Sequence, residues 1–171
     1  GWHQHPTQGL LDAYTIRERL GSLDGVRIAI VGDIKHSRVA RSDVAAFTRL
    51  GAEVVLVGPP TLLPPSLVGW PVTVSHRLDQ VLEAVDVIYL LRMQHERMNE
   101  ALVPSLREYT ELYGLTAQRT ERVRDDVVIM HPGPMNRGVE ISQEATAHPG
   151  AVITDQVANG ANETIVVKAG F

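Results

Sequence analysis

Four short runs of nearly unbroken apolar residues do most to limit how this chain can fold. They are Val26-Arg27-Ile28-Ala29-Ile30-Val31, Glu53-Val54-Val55-Leu56-Val57, Asp86-Val87-Ile88-Tyr89-Leu90-Leu91 and Val127-Val128-Ile129-Met130. Each is short for a helix and rich in β-branched residues, and none alternates apolar with polar. That is how strands read when a sheet is covered on both faces, as parallel sheets are. Pro71-Val72-Thr73-Val74 is a shorter run of the same kind. Helical spacing fills the gaps. Leu10, Leu11, Tyr14 and Leu20 share a face of a segment that stops at Gly21, with Thr7 as a candidate cap. Ser42-Asp43 predicts a cap for a helix running to Leu50 and closed by Gly51. Leu78, Val81, Leu82 and Val85 predict a helix over 78–85, and the polar stretch from Glu96 to Arg124 predicts helix, loop, helix. Strands alternating with helices imply an α/β domain: a doubly wound, mostly parallel sheet with helices on both faces, Rossmann-like.

Composition narrows the function. The chain has 171 residues, enough for one domain with a real core, and 44% are hydrophobic and 21% charged. A net charge of −4 gives no global reason to expect nucleic acid or a membrane surface as partner. There is no cysteine, which excludes disulfides, zinc-thiolate sites and thiol nucleophiles and fits a reducing, cytoplasmic setting. No apolar run approaches the roughly 20 residues that span a bilayer. Gly1-Trp2-His3-Gln4-His5-Pro6 has neither a signal-peptide pattern nor an initiator Met, so the chain is expected to begin inside a longer protein or to have been processed. His3 and His5 make a His-x-His pair without a third ligand nearby in sequence, so no metal is expected. One glycine after the first strand is not the G-x-G-x-x-G of a dinucleotide site, and no cofactor is expected.

In doubly wound sheets, ligands sit at the carboxyl ends of strands. Arg38 lies in Gly32-Asp33-Ile34-Lys35-His36-Ser37-Arg38-Val39-Ala40-Arg41-Ser42, past the first strand. Its planar fork suits a carboxylate or phosphate, and a following helix start would favour an anion; otherwise it is a solvated surface arginine. Arg92 follows a fully apolar strand, where a charge is costly unless it pairs with an internal carboxylate or meets a ligand. Gln94 emerges two residues later. Arg38 and Arg92 together suit the two carboxylates of a small dicarboxylate, against the reading of two unrelated structural arginines. His5 and Gln8 precede or open the first helix and read either as ligand contacts or as cap and surface groups. In His131-Pro132-Gly133-Pro134, two prolines around a glycine stiffen a loop. Such a loop can hold carbonyls out toward an ammonium or amide, or it is a structural turn.

Taken together, these segments resemble the aspartate/ornithine carbamoyltransferase family, from His5-Pro6-Thr7-Gln8-Gly9-Leu10-Leu11-Asp12 to Gln156-Val157-Ala158-Asn159-Gly160. The motifs occur in the family's order. His131-Pro132-Gly133-Pro134 stands where the ornithine branch has a His-Cys-Leu-Pro loop, so the aspartate branch fits better. The resemblance implies transfer of the carbamoyl group of carbamoyl phosphate to L-aspartate in de novo pyrimidine synthesis, by a homotrimer. By motif, Arg38 would hold the α-carboxylate of aspartate and Arg92 the β-carboxylate, with Gln94 positioning it. His5 would touch the carbamoyl oxygen, Gln8 the carbamoyl group, and the carbonyls of Pro132 and Gly133 the amino groups. Arg97 would bridge two domains on closure. The family's Ser-Thr-Arg-Thr-Arg phosphate loop does not occur in this sequence. Residues 1–160 are therefore expected to be the aspartate-binding domain, inactive without the carbamoyl-phosphate domain. The alternative is a non-catalytic dicarboxylate-binding or scaffold module. Residues 161–171 depart from the helix that the family has there.

Overall fold

The computed structural model describes residues 6–94, 96, 102–103 and 105–153. Five strands form one wholly parallel sheet: β1 (Arg27–Val31), β2 (Glu53–Val57), β3 (Val72–Ser75), β4 (Val87–Leu90) and β5 (Val128–Met130). Their order across the sheet is β3-β2-β1-β4-β5. The chain winds outward from β1 to β3 and then returns to lay β4 against the other side of β1, with Ile28 opposite Val87 and Val31 opposite Leu90. This reversal makes the gap between the β1 and β4 carboxyl ends the topological switch point, where doubly wound sheets open a crevice.

Period-two alternation sorts the strand residues onto two buried faces. Ile28, Ile30, Leu56, Val87 and Tyr89 pack with helices α1 (Pro6–Leu20) and α2 (Arg38–Arg49) through Ile16, Ala40 and Phe47. Ala29, Val31, Val57, Ile88 and Leu90 pack on the other face with α3 (Leu106–Tyr113) and α5 (Gln143–Thr146) through Tyr109, Tyr113 and Ala145. The short helix α4 (Ala117–Thr120) follows α3. Both faces are covered, which is why the strands read as continuous apolar runs.

The helix starts differ from those expected. α1 begins at Pro6, so Thr7 lies inside it rather than capping it; proline suits a first turn because its missing N–H has no intrahelical partner there. α2 begins at Arg38, capped by Ser37, whose side chain accepts from the Ala40 amide at 3.0 Å. Ser42 and Asp43 are buried inside the helix instead. Residues 78–85 form a 3₁₀ turn at Leu78–Gln80 followed by further turns, not a helix. Their apolar residues are buried without a full helical turn: Leu78, Leu82 and Val85 are at most 3% exposed.

α1 and α2 meet closely, and a methyl on Gly9 would lie 2.6 Å from the Ser42 carbonyl oxygen. Beside this contact two carboxyls are fully buried, Asp12 on α1 and Asp43 on α2. Tyr89 Oη donates to Asp12 Oδ2 at 2.7 Å and Gln8 Nε2 to Asp12 Oδ1 at 3.0 Å. Neither Asp43 oxygen has a hydrogen-bond partner among the described residues. Burial, and then the charge of Asp12, push the Asp43 carboxyl well above the usual carboxylate range, which favours its protonated form. A carboxyl whose folded pKa is raised contributes its full stability below the unfolded value near 3.8 and loses it as pH rises toward the folded value. Asp43→Asn keeps the side chain's size but does not titrate. The variant is expected to gain stability over the parent progressively as pH rises above the unfolded value near 3.8, visible as a widening Tm difference at about 2–4 °C per kcal/mol for a chain of this size. Thermal melts from about pH 4 upward check it; a constant difference would contradict the raised Asp43 carboxyl.

Candidate functional site

Three loops leave the sheet at the switch point. The loop after β1 carries Asp33, His36 and Ser37 into the N-terminus of α2, and Arg38 is that helix's first residue. The loop after β4 carries Leu91, Arg92 and Gln94, and the loop after β5 carries Pro132, Gly133 and Pro134. Together they line one cleft of about 450 Å³. Five of the residues singled out from sequence meet there: Arg38, Arg92, Gln94, Pro132 and Gly133.

Arg92 is exposed, because the strand ends at Leu90 and side chains then alternate, with Leu91 and Met93 buried and Arg92 and Gln94 open to the cleft. Among the described residues, neither Arg38 nor Arg92 has an ion-pair partner. The amides at the start of α2 add their dipole at the same edge. The cleft therefore carries two guanidinium forks and a helix N-terminus, matched to an anion with more than one charge.

The counterweight is Asp33, 6% exposed and also in the wall. Its Oδ1 accepts from the His36 amide at 3.2 Å and lies 2.9 Å from His36 Nδ1. This holds the imidazole at the cleft wall next to Ser37 and Arg38. Sequence reasoning passed over Asp33 and His36, although a charge directly following Gly32 at a strand end was the available signal. On the opposite wall, Gly133 has φ +65, a left-handed conformation that favours glycine, and its peptide bond to Pro134 is cis.

Gln8 does not line the cleft, and its amide is held by Asp12 one helical turn away. His5 and Arg97 lie outside the described residues, as do the Gln156-to-Asn159 motif and residues 161–171. Among the described residues there is no group of three metal-ligating side chains, and no helix is long and apolar enough to cross a membrane. A second groove, of about 520 Å³, is bounded by Val54, Val72, Val81 and Val85. It takes in the amino ends of β1 to β3, where such sheets do not place ligands.

The family model described as Aspartate/ornithine carbamoyltransferase, Asp/Orn binding domain, matches residues 24–165. The chain belongs to the aspartate/ornithine carbamoyltransferase family. Within it, the aspartate carbamoyltransferase catalytic subunit of Thermobifida fusca is 56% identical over 167 residues, 98% of this chain and 53% of that protein. The corresponding subunit of Desulfitobacterium hafniense is 57% identical over 160 residues, covering 94% and 51%. The chain thus spans about half the length of these relatives. Solved members of the family share the fold. Aspartate transcarbamoylase from Trypanosoma cruzi in complex with carbamoyl phosphate superposes with a TM-score of 0.82 at 31% identity, over 96% of this chain and 55% of that one. Ornithine carbamoyltransferase from Pyrococcus furiosus gives 0.80 at 27%, over 97% and 56%.

Proposed function

We propose that this chain is the aspartate-binding half of an aspartate carbamoyltransferase, acting on carbamoyl phosphate supplied by a separate domain. The observation that carries the reading is the convergence of Arg38, Arg92, Gln94, Pro132 and Gly133 on one cleft at the switch point. Arg38 and the first amides of α2 take the α-carboxylate of L-aspartate. Arg92 takes the β-carboxylate with Gln94 beside it. The carbonyls of Pro132 and Gly133 accept from the amino groups. The neutral amine then attacks the carbamoyl carbon, the bond from that carbon to the phosphate oxygen breaks, phosphate leaves and the amine gives up a proton. No covalent enzyme intermediate is needed, so catalysis is positioning plus stabilisation of the charge developing on the carbamoyl oxygen. Family position gives that last contact to His5 and contact with the carbamoyl group to Gln8. It gives domain closure to Arg97. The same reading makes the working enzyme a cytoplasmic homotrimer of pyrimidine synthesis.

Carbamoyl transfer is expected to be absent in this chain by itself and to appear when the carbamoyl-phosphate domain of a relative is added. Turnover by the purified chain alone would overturn the division of labour, and none in the mixture would favour a non-catalytic binding module.

The cleft should still bind a dicarboxylate. Charge-assisted contacts are worth about 1.5–3 kcal/mol each and association costs several, so the expected surplus is roughly 4 kcal/mol, a millimolar Kd for succinate. Amide shifts on succinate titration should cluster at Arg38, Arg92 and Gln94. Silence there at high succinate would mean that the site does not form in this chain.

A further inference from the structure

We infer that His131, Glu140 and Asn136 form a buried brace that ties the two walls of the cleft to one another, making them positioning residues for the reaction proposed above. The inference rests on that reading for its role and on the following geometry for its existence. His131 is fully buried directly after β5, and Glu140 is 1% exposed nine residues later. The Gly133 amide donates to His131 Nδ1 at 2.9 Å. A nitrogen that accepts cannot carry the ring proton, so the proton sits on Nε2, which donates to Glu140 Oε1 at 2.8 Å. The same Glu140 oxygen accepts from the Asn136 amide at 2.9 Å. Asn136 Nδ2 then reaches across to donate to the Met93 carbonyl at 2.7 Å. Met93 stands between Arg92 and Gln94. One continuous path therefore runs from the wall that offers carbonyls to the wall that offers a guanidinium.

The chemistry explains why these residue types are needed. Gly133 sits at φ +65, so its amide is fixed by an acceptor from within the loop and not by sheet pairing. Imidazole accepts on one nitrogen and donates on the other, so it can pass the constraint on. A carboxylate oxygen can accept two donors at once, from His131 and from the Asn136 backbone. Buried charge-assisted hydrogen bonds are short and direction-sensitive, which suits a part that sets spacing rather than one that meets substrate. None of the three lines the cleft, so their effect is exerted through Gly133 and Met93.

The test has one arm that needs no ligand. In this chain, long-range 1H–15N spectra should show His131 Nδ1 unprotonated and Nε2 protonated, and the Gly133 amide should be protected from exchange. Asn136→Ala, which cuts only the link to Met93, should move the amide shifts of residues 92–94 without lowering Tm by more than a few degrees. Glu140→Ala should speed Gly133 exchange by about 10-fold or more, and Glu140→Gln, which keeps one accepting oxygen, should restore most of the protection. In the chain complemented with the carbamoyl-phosphate domain, Asn136→Ala should raise KM for aspartate by about 10-fold with a smaller change in kcat, as expected for misplacing one wall. A protonated His131 Nδ1, or residues 92–94 unmoved in Asn136→Ala, would overturn the brace. Failure of the parent chain to bind succinate would count against the proposed function alone, since the spectra and the exchange rates are read without ligand. A normal aspartate KM in Asn136→Ala, with the shifts moved, would leave the brace structural and overturn its positioning role.

Discussion

Arg92→Ala is expected to lower kcat/KM for aspartate by roughly 10²–10³-fold in the complemented enzyme, equivalent to about 3–4 kcal/mol of lost transition-state stabilisation. The size follows from what the side chain supplies. Arg92 is exposed in the cleft wall and, among the described residues, has no ion-pair partner. Its fork is therefore available for two parallel hydrogen bonds to a carboxylate. Alanine removes both bonds and the charge, and the neighbouring amide of Gln94 cannot replace a charge. Arg38→Lys is expected to cost only about 10-fold, because a lysine keeps the charge while losing the fork. In the proposed site Arg38 would also have support at its own position, since the helix start capped by Ser37 lies at the same edge of the cleft. Steady-state kinetics of the two variants, with the carbamoyl-phosphate domain in excess, decide the matter. Equal losses, or a larger loss for Arg38→Lys, would move the principal carboxylate contact away from Arg92.

The sheet was legible because its physics is local. A strand buried on both faces must be apolar at its inner positions, and β1, β2, β4 and β5 are recognisable from that, with only the first residues of β1 and β2, Arg27 and Glu53, charged and exposed. The positions following strand ends were legible for the same reason, since a sheet of this kind exposes loops at one edge, and Arg38, Arg92 and Gly133 follow three of them. What sequence hid was set by tertiary contact. Ser42-Asp43 looks like a cap because those residues usually satisfy helix amides. Here Asp43 is instead turned inward beside Asp12, 31 residues away, and Ser37 does the capping. Gln8 read either as a ligand contact or as a surface group, and only the fold shows that its amide nitrogen donates to Asp12 four residues on. The spacing of Leu78, Val81, Leu82 and Val85 fits a helix, yet burial in turns satisfies the same apolar residues. The His131–Glu140 contact crosses a loop with no period, so no pattern along the chain announces it.

The largest expected loss of stability comes from a residue that no motif singled out. Arg119 is 8% exposed, and all its donor nitrogens are used. Nε and Nη2 grip the two oxygens of Asp79, each at 3.0 Å. Nη2 also donates to the Glu111 carbonyl at 2.6 Å, and Nη1 to the carbonyls of Gly114 at 2.8 Å and Thr110 at 3.3 Å. Those carbonyls lie at the C-terminal end of α3, where a helix leaves acceptors without partners and where its dipole favours a cation. One side chain thus closes α3 and fastens it to the turn at Leu78–Gln80. Arg119→Ala is expected to destabilise the fold by about 2–4 kcal/mol, mostly through stranded carbonyls, since Asp79 keeps Arg122 at 2.8 Å. At about 2–4 °C per kcal/mol, Tm should fall by roughly 5–15 °C. Arg119→Lys should recover less than half, because a single ammonium cannot reach both the carboxylate and the helix end. The pH dependence carries its own sign. The hydrogen bonds from Arg119 hold the Asp79 carboxyl below its usual value, so its contribution is present above the unfolded value near 3.8 and lost as pH falls through the lower folded one. The Tm difference between parent and Arg119→Ala should therefore narrow below about pH 4, yet not vanish, because the carbonyl contacts do not titrate. Thermal melts at pH 7 and pH 3 measure both parts. A drop of less than a couple of degrees at pH 7 would mean that Arg119 merely decorates the end of α3.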